Sequence, residues 1–275
     1  MINYLANPAR FARVSKWLTP LSGITAALCL FIGAYLGLFQ SPEAELHGQG
    51  VRMLYVHVPA AWCALTAYSG LAFMSLISFV WRHPLADIAA KSLAIPGLIF
   101  ALLCLATGSL WGKPAWGTWW QWDARMTSVL VLAFIYAAYL LLWSVIEDQK
   151  RAARLASILA MVGFINIPII KFSVDWWNTL HQPATVSQPG APGMPADFLF
   201  PLLTMVIGYS AFLAWCSLRD IEAGLVKLRA QRTQKQAPAT VTLSEKALTS
   251  SLYFTSHTGA TSLRLKYTSA PRESA

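Results

Sequence analysis

Charged side chains are scarce in this sequence. Only 12% of its 275 residues are Asp, Glu, Lys or Arg, whereas a soluble domain carries about 25%. Hydrophobic residues make up 56% of the chain, and this balance is typical of a membrane protein. The composition therefore argues against a soluble globular domain.

Six apolar runs of about 20 residues, the length of a transmembrane helix, contain no Asp, Glu, Lys or Arg. They lie near 21–39, 59–80, 93–111, 129–146, 155–170 and 198–218. Pumps and ion-coupled carriers usually need charges inside the membrane as relays, so the pattern argues against ion-driven transport. The fifth run is short and is interrupted by Asn166 and Pro168. We predict an all-α polytopic membrane protein with six transmembrane helices.

Paired cysteines and a nucleotide-binding loop are also missing. The four cysteines stand singly in apolar runs, without a Cys-x-x-Cys pair, at Cys29, Cys63, Cys104 and Cys216. We interpret them as inert core packing. The segment from Gly108 to Lys113 has the wrong spacing for a P-loop and is followed by Pro114, so it does not predict nucleotide binding.

Basic residues are unevenly distributed along the chain, whose formal net charge is +9. Only four of the 21 lie in or beside the loops after spans one, three and five, namely Arg52, Lys113, Arg125 and Lys171. The others lie in the N-terminal arm, the two remaining loops and the C-terminal tail. The positive-inside rule therefore predicts that both termini are cytoplasmic and that those three loops face outward. The charge gives no reason to expect a nucleic-acid partner.

The chain divides into a membrane part and a tail. We predict a six-span domain at 1–220, with a tryptophan-rich outer loop at 112–126. Its first span is expected to remain as an anchor, because the apolar run exceeds the about 7–15 residues of a signal peptide core. Residues 221–275 are expected to form a basic cytoplasmic tail that is disordered in its last part.

The twelve tryptophans are concentrated on the predicted outer side. Four lie near inner ends of spans, where an ordinary aromatic belt explains them: Trp17, Trp81, Trp143 and Trp215. The other eight are Trp62, Trp111, Trp116, Trp119, Trp120, Trp122, Trp176 and Trp177. Five of these eight fall within residues 111–122, an excess that a belt does not account for.

Three histidines, His47, His57 and His181, also lie on the outer side. A single histidine near the membrane interface more often has no ligand role than has one. His57 and His181, however, both lie beside tryptophans and prolines. We expect His57 just before span two, since Pro59 suits the first turn of a helix. The set suggests a flat apolar ligand with a central metal, and haem fits because its iron takes axial imidazoles. We predict His57 and His181 as the axial ligands.

The tryptophan-rich loop supplies the apolar surface that a porphyrin needs, since a buried tryptophan contributes about 150–250 Å² of contact. The predicted haem-binding residues are Trp116, Trp119, Trp120, Trp122, Asp123 and Arg125. The propionates could meet Arg125, Lys113 or Arg52. Asp123 is first of all a candidate helix cap for span four, and otherwise an ion pair with Arg125 or a partner of a ligand.

Other interpretations stay open at this point. Trp116, Trp119, Trp120 and Asp123 have the spacing of one helical face, so they could form an interfacial helix. A membrane-embedded transferase or ligase acting on a lipid-linked substrate could use Asp123 or Asp175 as a base and Arg125 to hold a phosphate. A purely structural subunit would use its tryptophans as anchors.

Three segments resemble one known family. Residues 116–123, Trp-Gly-Thr-Trp-Trp-Gln-Trp-Asp, are similar to the WWD signature of haem-handling membrane proteins. Residues 55–62 and 175–183 resemble the flanking histidine segments of the branch that contains the cytochrome c maturation haem exporters, CcmC. The resemblance covers roughly 15–220, and the segments agree in order, side and spacing.

The resemblance implies a non-enzymatic protein of the bacterial inner membrane. Such a protein presents haem b on its outer surface and delivers it to the periplasmic haem chaperone CcmE. The tryptophan motif would hold the haem, and His57 and His181 would ligate its iron. The implied partners are the CcmA and CcmB transporter subunits and the small protein CcmD.

Overall fold

Helices make up most of the part of the chain that the structure describes. The computed structural model of the protein describes residues 7–45, 48–177, 179–181 and 193–236. Its α-helices are α1 Pro8–Tyr35, α2 Leu54–Trp81, α3 Pro84–Trp116, α4 Ala124–Val145, α5 Gln149–Gly163, α6 Asn166–Trp176 and α7 Ala196–Gln236. A π-helical turn, Leu36–Gln40, extends α1, and a 3₁₀ turn, Gln49–Met53, leads into α2. The all-α prediction is confirmed.

Six segments are long and apolar enough to cross a membrane: 8–40, 49–81, 84–116, 124–145, 149–176 and 196–234. The prediction of six spans is confirmed. Each segment is longer than its apolar run, because polar flanking residues also form the backbone hydrogen bonds of a helix. Three contacts bring the segment ends together: Gly37 lies against Tyr55, His57 against Thr107, and Thr179 against Asp123. The ends of segments one, three and five and the starts of segments two and four therefore lie at one end of the bundle. We name it the tryptophan end.

Two buried tyrosines tie the centre of the bundle together. The rings of Tyr68 and Tyr136 meet edge to face with centroids 5.1 Å apart. Tyr68 donates to the carbonyl of Ala160 at 3.1 Å, and Tyr136 donates to the carbonyl of Ala64 at 2.8 Å. A hydroxyl buried in a membrane bundle lacks water as a partner, so these bonds join α2 to α4 and α5.

The fifth span is divided, as the sequence predicted. α5 ends at Gly163 and α6 begins at Asn166. The Asn166 side chain donates to the carbonyl of Ser128 on α4 at 2.8 Å. Pro168 lies in the first turn of α6, where a missing N–H leaves no helical bond unmade. The break gives α6 its own start, and α6 then runs to the tryptophan end.

The last helix joins the membrane part to the tail. α7 packs on α1, where Gly33 lies against Met205 so closely that a Cβ would come within 2.8 Å of it. Among the described residues, those up to Val226 belong to one compact unit. Residues 227–236 belong to a second unit and are helical. The predicted tail beyond 236 lies outside the described residues.

Candidate functional site

The connector between α3 and α4 is shorter than its glycines and prolines indicated. α3 continues through Pro114 to Trp116, because a proline so near the helix end removes only one backbone bond. Gly117 then ends the helix with φ of 77°, a conformation that favours glycine. Residues 117–123 are not helical, so the alternative of an interfacial helix through Trp120 and Asp123 is wrong.

The non-helical connector presents aromatic rings. The Thr118 hydroxyl donates to the carbonyl of Trp120 at 2.9 Å and closes a tight turn. Trp119 and Trp122 are 55% and 74% exposed. Trp120 is half-buried, lies edge to face with Trp122 at 5.3 Å, and its buried Nε1 has no hydrogen-bond partner in the described ranges. The connector therefore offers the apolar surface that the sequence predicted.

His57 lies inside α2 and not before it. α2 begins at Leu54, after the 3₁₀ turn, so His57 is the fourth residue of the helix. The expectation drawn from Pro59 was wrong by one helical turn. A helix that already begins at Leu54 tolerates Pro59 because this residue removes only one hydrogen bond.

The imidazole of His57 is fixed against α3. Its Nδ1 lies 3.1 Å from the carbonyl of Cys104 and 3.1 Å from the hydroxyl oxygen of Thr107. That hydroxyl donates to the carbonyl of Leu103 at 2.7 Å, so both neighbours of Nδ1 accept. A Cβ on Gly108 would lie 3.1 Å from Cε1 of the ring. Nδ1 therefore carries the proton, and Nε2 keeps its lone pair.

His181 lies beyond α6, outside any helix. Its Nδ1 is 2.6 Å from Oδ2 of Asp123. The ring of Trp116 packs edge to face on the imidazole with centroids 4.8 Å apart. The Thr179 hydroxyl accepts the backbone N–H of His181 at 3.1 Å and donates a short bond to Oδ2 of Asp123. Three side chains thus surround this histidine.

Asp123 performs two tasks with its two oxygens. Oδ1 accepts the N–H of Met126 at 2.8 Å, which confirms the predicted cap of α4, and Oδ2 faces Thr179 and His181. Burial opposes ionisation, yet the hydrogen bonds from Thr179 and Met126 and the nearby His181 lower the pKa of Asp123 below its ordinary 3.8. A carboxylate so occupied is a poor general base, which argues against the transferase interpretation.

Burial lowers the pKa of His181 below its ordinary value of 6.5, although Asp123 acts in the opposite direction. At neutral pH His181 is therefore a neutral imidazole that donates from Nδ1 to the Asp123 carboxylate. Its Nε2 keeps a lone pair, as Nε2 of His57 does. A neutral imidazole whose other nitrogen is hydrogen-bonded is the form in which histidine binds metals.

The structure brings the two histidines and one cation together. His181 and Arg125 are both close enough to His57 to interact with it electrostatically. Arg125 lies in the first turn of α4, also interacts with Asp123 and Asp175, and makes no ion pair with the described residues. Four of the predicted site residues, from distant parts of the sequence, therefore lie near one another at the tryptophan end: His57, Asp123, Arg125 and His181.

The other two propionate candidates differ from Arg125. Lys113 donates to the carbonyl of Gly117 at 3.0 Å and so helps to end α3. Arg52 lies on the 3₁₀ turn before α2, and its buried Nε has no partner within the described segments. Of the three cations, Arg125 is the one that interacts with both histidines. His47 lies outside the described residues.

Sequence reasoning missed the residues that orient the histidines. Thr107 and Gly108 lie within an apolar run of the sequence, and only the hydroxyl of Thr107 could have indicated a polar contact there. Thr179 had a clearer signal, because a threonine two residues before a histidine can bond its backbone. The contact with the carbonyl of Cys104 had no sequence signal, since every residue carries a main-chain carbonyl.

Comparisons with known proteins identify the family of this chain. A family model described as "Heme exporter protein C" matches residues 1–236. The chain belongs to the haem exporter protein C family. The resemblance drawn from the three motifs is thereby confirmed.

Individual relatives of this family cover most of the chain. The haem exporter protein C of Bradyrhizobium diazoefficiens is 45% identical over 237 residues, which are 84% of this chain and 87% of the relative. That of Escherichia coli K12 is 38% identical over 224 residues, or 80% and 90%. A Marchantia polymorpha chain, whose name describes a ccmC-like mitochondrial protein of cytochrome c biosynthesis, is 47% identical over 189 residues, or 68% and 80%.

Proposed function

We propose that this protein binds haem b at the tryptophan end and delivers it to an acceptor in cytochrome c maturation. The observation that carries the proposal is that His57 and His181, 124 positions apart in the chain, lie close enough to interact electrostatically. The Nδ1 of each has hydrogen-bond partners, so Nε2 of each is the candidate ligand atom. The family name, haem exporter protein C, agrees with it. Haem is the cargo in this account, and the protein carries out no reaction on it.

The composition of the site favours haem over a bare metal ion. Within the described segments no three His, Cys, Asp or Glu side chains are grouped so as to hold a metal. A porphyrin brings four equatorial nitrogens with its iron, so two imidazoles complete the coordination. The exposed rings of Trp119 and Trp122 provide the apolar contact that the macrocycle requires.

Each group around the imidazoles has a distinct task in this proposal. The Nε2 atoms of His57 and His181 ligate the iron. Trp116 packs on His181 and, with Trp119, Trp120 and Trp122, contacts the macrocycle. Arg125 neutralises a propionate, for which its guanidinium is suited because it donates in a planar fork. Asp123 holds the ring of His181 and completes the binding site.

The location of the site follows from the distribution of basic residues. We propose a multi-pass inner-membrane protein with both termini in the cytoplasm, so that the tryptophan end faces the periplasm. The acceptor on that side is the haem chaperone CcmE. CcmA, CcmB and CcmD are the proposed partners in the membrane, and they would supply the nucleotide chemistry for which this chain has no motif.

The absorption spectrum of the purified, haem-supplied protein tests the proposal directly. Two imidazole ligands give a low-spin, six-coordinate spectrum, and that is the expected result. A protein that remains colourless after haem supply, and whose activity instead depends on Asp175, would favour the transferase interpretation.

Cysteine labelling tests the orientation. An impermeant thiol reagent should label introduced cysteines in 112–126 and 173–197 from the periplasm. Cysteines in 82–92 should react only after the membrane is permeabilised. Labelling of the tryptophan end from the cytoplasm would contradict the proposed delivery to a periplasmic acceptor.

A further inference from the structure

Thr179 contacts both members of the His181–Asp123 pair. Its hydroxyl oxygen accepts the backbone N–H of His181 at 3.1 Å and lies 3.2 Å from Nδ1 of the same residue. The hydroxyl proton goes to Oδ2 of Asp123. One side chain thus connects the backbone of His181 to the carboxylate that holds its ring.

Among the residues that the structure describes, few other contacts support the segment around His181. α6 ends at Trp176, and the last backbone bond of that helix runs from the N–H of Trp177 to the carbonyl of Ser173 at 3.1 Å. In the described part of the chain, residues 179–181 make no backbone–backbone hydrogen bond. Among the described residues, side chains therefore hold His181: Trp116 and Asp123 contact its ring, and Thr179 bonds its main chain.

We propose that Thr179 is a positioning residue that directs Nε2 of His181 toward the iron. The inference rests on the proposed function, in which that nitrogen is an axial ligand. The ring bond to Asp123 fixes one point of the imidazole, but a ring held at one point can still pivot. Tying the adjacent backbone to the same carboxylate oxygen removes that freedom. In this role Thr179 acts through His181 and does not itself ligate the iron.

Two substitutions separate the hydroxyl from the bulk of the side chain. Thr179→Val keeps the shape but removes both hydrogen bonds, whereas Thr179→Ser keeps the hydroxyl. Thr204→Val is the matched control, because the Thr204 hydroxyl donates only to the Phe200 carbonyl of its own helix, at 2.9 Å. Thr179 lies outside the helices, so its replacement leaves the bundle's packing intact.

The expected result is a change of ligation and not a general loss of protein. Thr179→Val should convert much of the bound haem from six- to five-coordinate and weaken retention about tenfold, the scale of a lost supporting contact. Added imidazole should restore the six-coordinate spectrum. Thr179→Ser and Thr204→Val should both resemble the wild type. A wild-type-like Thr179→Val spectrum, or a Ser variant as impaired as the Val variant, would overturn the assignment.

A double-mutant cycle shows whether Thr179 acts through His181. In a His181→Gly background, Thr179→Val should have no further effect, since the ligand it positions is gone. In a His57→Gly background, Thr179→Val should remove the ligation of iron by His181, the remaining imidazole. Equal effects in both backgrounds would overturn the role of Thr179. Absence of two-imidazole haem in the wild type, or its survival in His181→Gly, would instead contradict the proposed function.

Discussion

His57 and His181 lie in the same site but are held in place by different kinds of contact. His57 is built into α2, and its Nδ1 bonds to a main-chain carbonyl of α3. His181 lies between helices, and its Nδ1 bonds to the side chain of Asp123. The first histidine is held by a helix pair, and the second by neighbouring side chains.

This difference indicates that the two proposed ligands are not equivalent. A main-chain carbonyl is a neutral acceptor in a rigid helix, so the ring of His57 has little freedom. A carboxylate acceptor makes an imidazole more basic and so a stronger metal ligand. His181 therefore combines the stronger donor with the less rigid attachment. Five substitutions, each compared with a control or a second variant, test this comparison.

Removal of either histidine should have the largest effect. His57→Gly and His181→Gly should each convert six-coordinate haem to a five-coordinate or water-ligated form. Added imidazole should refill both vacancies, but at lower concentration in His181→Gly, where the Asp123 carboxylate accepts its N–H. A bond to a charged acceptor contributes about 1.5–3 kcal/mol and a neutral one about 1 kcal/mol.

His47→Ala is the control for both histidine variants, and its spectrum should match the wild type. Absorption spectra across an imidazole titration provide the measurement. Equal imidazole affinity in the two glycine variants would show that the carboxylate makes no difference. A six-coordinate spectrum surviving in both variants without imidazole would make His47 the next candidate.

Trp120→Ala should weaken haem retention without changing ligation. Removing a large packed aromatic costs about 3 kcal/mol, which is roughly a hundredfold in affinity. The residual haem should keep its two-imidazole spectrum, because the tryptophan rings packed on His57 and His181 in the described structure are Trp111 and Trp116. Haem transfer to apomyoglobin measures the retention. A change of ligation class would mean that the tryptophans also position the histidines.

Asp123→Asn should weaken iron ligation by His181 and leave ligation by His57 unchanged. Asparagine is as good a helix cap as aspartate, so α4 should remain stable, while the bond to His181 loses its charge. Loss of such a supporting contact typically weakens metal binding about tenfold to a hundredfold. Haem affinity and thermal unfolding measured together separate the two tasks. An equal loss in Asp123→Asn and Asp123→Ala, with unfolding at a lower temperature in both, would assign the effect to the cap.

Gly108→Ala should have the smallest effect, and it should disturb only iron ligation by His57. The new Cβ would lie 3.1 Å from Cε1 of His57, so the ring must move by a few tenths of an ångström. Alanine also favours the helix by about 1 kcal/mol over glycine, so stability should not fall. A modest five-coordinate fraction is expected, and Gly50→Ala, which meets nothing within 4 Å, is the control.

The sequence alone was sufficient for the membrane architecture. Apolar run length predicts spans because the hydrocarbon thickness sets helix length locally, and all six were found. The break at Asn166 and Pro168 and the cap at Asp123 are local as well, since each depends on one side chain and its nearest backbone. Residues of these types have the same effect in most helices.

The arrangement of the site was decided by tertiary structure. The partners of His57 on α3 lie 47 and 50 positions away, and Asp123 is 58 positions from His181. No spacing rule connects such positions, because their distance depends on how α2, α3, α4 and α6 pack. Local rules also misjudged Pro59 and Pro114, which lie within helices because neighbouring turns supply enough hydrogen bonds. The sequence thus determined which residues could bind, and helix packing decided which nitrogen each histidine presents.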